Sequence, residues 1–219
     1  MALQVMVVGL GQFGRTLAKT LTQREVEVLA VDSDPERVDE AASYAAEAVC
    51  VDATDERALA QLSPQRRDVS VVAIGDSSRE ASIVCTALLR QMGCKRVVAR
   101  SIDDIHGRIL GMVGAHHVVS PEAEHGERFA SLLMYKEMRS EMMLGPGVVI
   151  AEIEVPHTLV GKSLLDLRLR KRFSVSIVAV RRGSSGEVHL PEPEDVFHEG
   201  DIVVTVGSRK AVTAFLEKM

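Results

Sequence analysis

Three glycines in the stretch Gly9-Leu10-Gly11-Gln12-Phe13-Gly14 have a spacing that can hold a pyrophosphate. They follow the apolar run Leu3-Gln4-Val5-Met6-Val7-Val8 and precede a helix-forming segment over residues 15–23. In such a turn the first glycine permits a tight reversal and the second lets the backbone approach a phosphate. The third lets the helix lie against the sheet, with the positive end of its dipole facing the anion. Gly9, Gly11, Gln12, Phe13 and Gly14 are therefore the candidate phosphate-binding residues. A glycine turn of this kind can also be purely structural, so its neighbours decide.

A second group with suitable chemistry follows at the right distance. Residues 26–31 read as a strand ending in Asp32-Ser33-Asp34. A carboxylate about twenty residues beyond the glycine turn is where a ribose hydroxyl is gripped. Asp32 is the ribose candidate with Ser33 beside it, and Asp34 or Ser33 suits the cap of a helix opening at Pro35. No arginine follows directly, which disfavours a 2′-phosphate and hence NADP. Replacing Asp32 by Ala is expected to weaken nucleotide binding and leave folding intact.

These groups need strands to carry them. Residues 48–51, 69–74, 96–100 and 116–119 are further apolar runs, separated by helical patterns that include 79–92 and 103–112. Short apolar strands alternating with helices mark a parallel sheet covered on both faces. The fold class expected is α/β, a Rossmann-like doubly wound parallel sheet. Ligands in such sheets sit at the carboxyl ends of the strands. Those ends carry Gly9 to Gly11, Asp32, Asp52-Ala53-Thr54, Ala73-Ile74-Gly75 and Arg100, which together point to one nucleotide crevice.

Composition narrows the classes. The chain has 219 residues, 46% of them apolar, enough for one nucleotide domain and a small appendage. A net charge of −5 argues against a nucleic-acid surface. No apolar run reaches bilayer length and no leader is apparent, so a cytoplasmic protein is expected. The odd cysteines Cys50, Cys85 and Cys94 lack CxxC spacing. Cys50 and Cys85 sit in apolar segments and read as buried thiols of a reducing compartment. Histidines 106, 116, 117 and 125 have no zinc spacing.

The segments GLGQFG, AVDSD, VDATDE, VVAIGDSSREAS and SPEAEHG, in that order, resemble RCK domains. These are the regulator-of-potassium-conductance subunits of the Trk and Ktr potassium uptake systems. The resemblance extends into the second half, where PEPED is followed by a Gly-Asp strand. It implies a nucleotide-binding domain over 1–121, a crossover helix and linker over 122–146, and a C-terminal subdomain over 147–219. In that subdomain strands are expected at 148–155, 174–180 and 201–206 and a terminal helix over 209–218.

Residues 122–144 read as one helix, with Phe129, Leu132, Tyr135, Met138 and Met142 along a stripe. Two readings stand: packing on its own domain, or the clasp on a partner subunit that the resemblance implies. Gly145-Pro146-Gly147 then marks a linker. The basic cluster Arg168, Arg170, Lys171 and Arg172 is either a solvated face or an anion site. The resemblance places Arg170, with Leu164 and Leu165, where some relatives bind cyclic di-AMP. It also implies that Glu122 helps hold a magnesium or other divalent cation, although first-turn placement in a helix suffices to explain a carboxylate there.

The implied function is a regulatory subunit, not an enzyme. It would gate a membrane potassium-translocating subunit from the inner face of the membrane, as homodimers assembled into a ring, by analogy an octamer. In this reading the adenine lies near Asp52, Ala53 and Thr54, and Arg100 reaches phosphate where Ktr relatives carry a lysine. ATP/ADP is expected, with NAD/NADH open because Gln12 stands where Ktr members carry an arginine that contacts the terminal phosphate. The alternative is a small NAD-dependent dehydrogenase. Against it, the chain offers no base–acid pair on a substrate domain.

Overall fold

Alternate residues of β1 (Gln4–Val8) bury on opposite faces of a sheet, which is what places this short strand at its centre. The computed structural model describes residues 2–75 and 78–218, and its chain divides into two units, Met1–Glu122 and Ala123–Met219. In the first unit β1 leads into α1 (Gln12–Gln23), β2 (Glu27–Asp32), α2 (Pro35–Ala42), β3 (Glu47–Cys50) and α3 (Glu56–Gln61). There follow β4 (Val69–Val72), α4 (Arg79–Gln91), β5 (Val97–Arg100), α5 (Asp104–Met112) and β6 (His117–Val119). The first residues of α6 (Pro121–Met134) close the unit.

The strands are parallel in the order β3-β2-β1-β4-β5-β6, with Val8 paired to Val31 on one side and Val72 on the other. Met6, Val8, Leu29, Val31 and Val72 face one apolar layer with Leu59, Cys85 and Leu89. Val5, Val7, Val28 and Ala30 face the other with Ala18, Val38 and Ala41. Burial on both faces accounts for the near-continuous apolar runs. The order of connection reverses at β1, so the crevice of a doubly wound sheet opens above β1 and its neighbours.

Several expectations shift. The fourth strand stops at Val72, and Ala73 to Gly75 leave it as loop. Asp76 and Ser77, expected in the closing turn, lie outside the described residues. The sixth strand starts at His117, because the His116 Nδ1 accepts the Val97 N–H at 2.8 Å. Cys50 is exposed, not buried: it ends the edge strand β3, which has a neighbour on one side only.

The second unit is built on an antiparallel sheet. It contains β7 (Met138–Gly145), β8 (Val148–Glu154), α7 (Leu164–Leu167), α8 (Leu169–Phe173), β9 (Ser176–Arg181), β10 (Val188–His189), β11 (Ile202–Ser208) and α9 (Arg209–Glu217). The strand order is β10-β9-β11-β8-β7, and Val149, Ala151, Ile153, Val203, Val212 and Phe215 form its core. Here the sequence expectation of a helix to residue 144 fails. The helix α6 ends at Met134, and residues 138–145 are β7, paired with β8 through Glu141–Ala151 and Met142–Ile150. Gly145-Pro146-Gly147 is not a linker but the hairpin turn, with Gly147 at φ +74°. Apolar spacing of three and four mimicked a helix, yet a full antiparallel ladder outweighs that local preference. Glu141 explains the polar interruption: it is buried and accepts from Arg209 Nε at 2.8 Å. No residue of α6 is buried, and Phe129, Leu133 and Met134 are exposed.

Candidate functional site

At the carboxyl ends of β1, β2, β4 and β5 lies a crevice of about 240 Å³. Gly9, Gly11, Asp32, Ser33, Asp52, Ala53, Ile74, Gly75 and Arg100 line it, as the sequence suggested. Gly9 holds φ +95°, and a Cβ there would lie 2.8 Å from the Ile74 nitrogen. Gly14 packs the helix onto the turn so closely that a Cβ would sit 1.8 Å from the Gly9 carbonyl oxygen. Both glycines are required by space or backbone angle. Gly11 differs, for a Cβ there meets nothing within 4 Å.

Gly11 is also the N-cap of α1, which therefore has no side-chain cap. The four following helices are each capped by their own Asp34, Asp55, Ser78 or Asp103. An uncapped N-terminus leaves backbone donors and the dipole for an anion. This end of the crevice suits a phosphate.

The opposite wall is acidic. Asp32 is 7% exposed; its Oδ2 accepts the Leu10 N–H at 2.5 Å and its Oδ1 accepts the Asp34 N–H at 2.9 Å. Asp34 caps α2 by accepting from the Glu36 N–H, as expected. The carboxylate of Asp32 thus braces the glycine turn while retaining acceptor capacity for a ribose diol. Asp52 accepts from the Thr54 backbone N–H and then from its hydroxyl, and these bonds hold its carboxyl below the usual range. Thr54 is committed to that turn.

Arg100 ends β5 with its side chain 12% exposed. Its Nη2 and Nε donate to Glu122 at 2.6 and 3.3 Å, and its guanidinium lies 5.9 Å from the centre of the Phe13 ring. Phe13 thus supports the arginine, and Gln12 turns to Arg15, whose Nη2 donates to the Gln12 Oε1 at 2.9 Å. Gln12, Phe13, Gly14, Thr54 and Glu122 do not line the crevice itself.

Sequence reasoning missed Arg37. It lines the crevice, with Nη1 3.6 Å from Asp32 and Nε 3.2 Å from Asp34. Its signal was an arginine in the first turn of α2, five positions beyond Asp32 instead of directly after it. The cation there is balanced by two carboxylates, so the ribose end keeps a negative excess.

Burial pushes the Cys85 thiol up to about 12, which removes it as a nucleophile. Among the described residues no group of three His, Cys, Asp or Glu side chains is set to hold a metal ion. No helix among them is long and apolar enough to cross a membrane.

A glycine turn, an uncapped helix and a carboxylate at a topological switch point mark the first unit as a Rossmann-type fold, followed by a small antiparallel unit. Residues 5–121 match the TrkA-N domain family and residues 148–219 the TrkA-C domain family. The chain belongs to this TrkA-N/TrkA-C family, which includes the Ktr potassium uptake proteins. It is 34% identical over 213 residues to Ktr system potassium uptake protein C of Bacillus subtilis, covering 97% of this chain and 96% of the relative. It is 32% identical over 216 residues to Ktr system potassium uptake protein A of Vibrio alginolyticus, covering 99% and 97%. The crystal structure of the GsuK RCK domain superposes with a TM-score of 0.66 at 21% identity, over 99% of this chain and 47% of that one. The GsuK channel bound to NAD gives 0.67 at 20%, over 99% and 39%. The chain thus spans about half or less of these solved chains, and at such identity the likeness concerns the fold.

Proposed function

We propose that this chain is the nucleotide-sensing regulatory subunit of a potassium uptake system. The observation that carries the reading is the crevice, in which Gly11 and Asp32 present a phosphate end and a ribose end, in a chain related to Ktr proteins along its length. The ligand is an adenine nucleotide, ATP or ADP first and NAD or NADH second, held by Gly9, Gly11, Asp32, Ser33, Asp52, Ala53, Ile74, Gly75 and Arg100 of the crevice, with Gln12, Phe13, Gly14 and Thr54 supporting the turns that carry them. The GsuK channel bound to NAD shares the fold and supports the second choice. A regulator of this kind needs no catalytic pair; it needs two conformations that ligand biases and a partner that reads them.

The partner is a membrane potassium-translocating subunit, approached from the cytoplasmic side. The exposed Phe129, Leu133 and Met134 of α6 support its use in pairing two copies, which then build a ring. Of the division expected over 1–121, 122–146 and 147–219, we keep the first domain and extend the last to take in β7, which pairs with β8. In the second unit a groove of about 600 Å³, lined by Leu164, Leu165, Arg168, Arg170 and Lys171, supports cyclic di-AMP as a further ligand.

The test is thermal unfolding with ATP, ADP, NAD, NADH and cyclic di-AMP, because a ligand of the native state raises its apparent stability. A shift with an adenine nucleotide that Asp32→Asn reduces is the expected result. No shift with any of them overturns the reading. Co-purification with a Ktr-type membrane subunit, and a nucleotide-dependent potassium flux in vesicles, test the regulatory half.

A further inference from the structure

The family resemblance puts a divalent cation on Glu122, beside the nucleotide phosphates. The residues present do not fit one. Both carboxylate oxygens of Glu122 already accept from Arg100, through Nη2 at 2.6 Å and Nε at 3.3 Å. A divalent ion on that carboxylate would stand next to a fixed guanidinium, two like charges in contact range. The arginine itself is the better-built cation. It is 12% exposed, it lies 5.9 Å from the Phe13 ring centre in the glycine turn, and it comes from the end of β5.

The third contact shows where its free hydrogens go. A Cβ on Gly75 would lie 2.7 Å from Arg100 Nη1, so the bare glycine makes room for that nitrogen. Gly75 and Arg100 both line the crevice. A guanidinium has five N–H donors in a planar fork, and Glu122 takes two. The remaining donors include both on Nη1, the nitrogen beside the glycine. Such a fork matches a pyrophosphate bidentately, which a lysine cannot do.

We infer that Arg100 takes the place of the divalent cation, so that the crevice binds adenine nucleotides without magnesium. Glu122 is then the carboxylate that positions Arg100 and not a metal ligand. This rests on the nucleotide reading above, and the test separates the two.

The full chain is titrated calorimetrically with ADP, and in parallel with NADH, once in EDTA and once in magnesium. The dissociation constant in EDTA is expected within about threefold of that in magnesium, well under the tenfold step of 1.4 kcal/mol. Saturable binding that needs magnesium overturns the inference and leaves the nucleotide reading standing. No binding of either ligand in either buffer overturns both. Two variants sharpen the result. Glu122→Gln, which loosens the hold on Arg100, is expected to weaken ADP binding by the same factor in EDTA and in magnesium; a loss confined to magnesium marks a metal-holding carboxylate and overturns the inference. Arg100→Lys, the conservative change checked for wild-type melting, weakens metal-free binding at least about tenfold. Wild-type affinity of that variant in EDTA overturns the inference.

Discussion

Adding one methyl group at Gly11 and at Gly14 separates the structural from the ligand-binding work of the turn. At Gly14 the new carbon would lie 1.8 Å from the Gly9 carbonyl oxygen and 3.1 Å from Ala73 Cβ. Non-bonded contact needs about 3.5 Å, so turn and helix must part by about 1.7 Å. Overpacking of this kind costs about 1–3 kcal/mol, against a helix-propensity gain of at most about 1 kcal/mol. Gly14→Ala is therefore expected to lower the melting temperature by roughly 4–8 °C, for a net loss of about 1–2 kcal/mol in a unit of this size. At Gly11 the methyl meets nothing within 4 Å, and the backbone is extended at φ −63° and ψ −173°. The loss of stability is then only the poorer N-cap, under about 1 kcal/mol.

The methyl at Gly11 does, however, occupy the approach of a phosphate to α1. With nucleotide at 100 times its dissociation constant, the wild type gains about 2.7 kcal/mol of apparent stability. A tenfold weaker Gly11→Ala would gain about 1.4 kcal/mol, half the shift. Differential scanning fluorimetry with and without ADP reads both variants. A Gly11→Ala protein with the full wild-type shift would refute the assignment of phosphate to this turn.

Asp32→Ala should weaken nucleotide binding but also destabilise the protein, because the Leu10 and Asp34 amides lose their acceptor. Each buried orphan costs about 1–3 kcal/mol. Asp32→Asn keeps one oxygen and should therefore melt nearer the wild type while binding weakly; equal melting of the two variants would contradict this bracing role. Asp201, buried and pushed up by that burial, is brought back below the usual carboxylate range by the His198 and Gly183 N–H groups and by Arg182. Its contribution is full above the unfolded value of about 3.9 and lost as pH falls through the lower folded value. Urea midpoints followed by circular dichroism from pH 6 to pH 3 should fall, with Asp201→Asn giving a flatter profile. Of the three thiols, Cys50 should react first with a disulfide reagent, Cys85 and Cys94 being buried. Nucleotide should slow it, since Cys50 Sγ lies 3.6 Å from the carbonyl of Ser33 at the crevice edge. A Cys50→Ser protein that still reacts as fast would point to another thiol.

The doubly wound sheet was legible because both faces are buried, so each strand declares itself as an apolar run ending in a small or polar residue. Gly9, Asp32 and Arg100 could be aligned on one edge from that pattern alone. What was not legible depends on contacts distant in sequence. Met138 and Met142 sit at helical spacing, and only the ladder to Ile153 and Ile150 makes them a strand. Arg37 reaches Asp32 because α2 turns back over β2, a geometry that spacing does not express. The pairing of Arg100 with Glu122 spans 22 positions and the whole of β6, so two residues read as separate ligand contacts turned out to be partners. Spacing offers Asp32 a ribose or a helix cap, and its role as acceptor for the Leu10 N–H emerges only with the glycine turn in place.

The central position of β1 has a consequence for synthesis. Val5 pairs with Val69 and Val28, so the earliest strand of the sheet to leave the ribosome is enclosed from one side only after about sixty further residues. At 5–20 residues per second that interval is roughly 3–13 s. During it Val5, Met6, Val7 and Val8, all buried in the finished sheet, remain a sticky nascent segment with an open hydrogen-bonding edge. Early chaperone contact should therefore concentrate on this stretch, and should end once β4 has emerged.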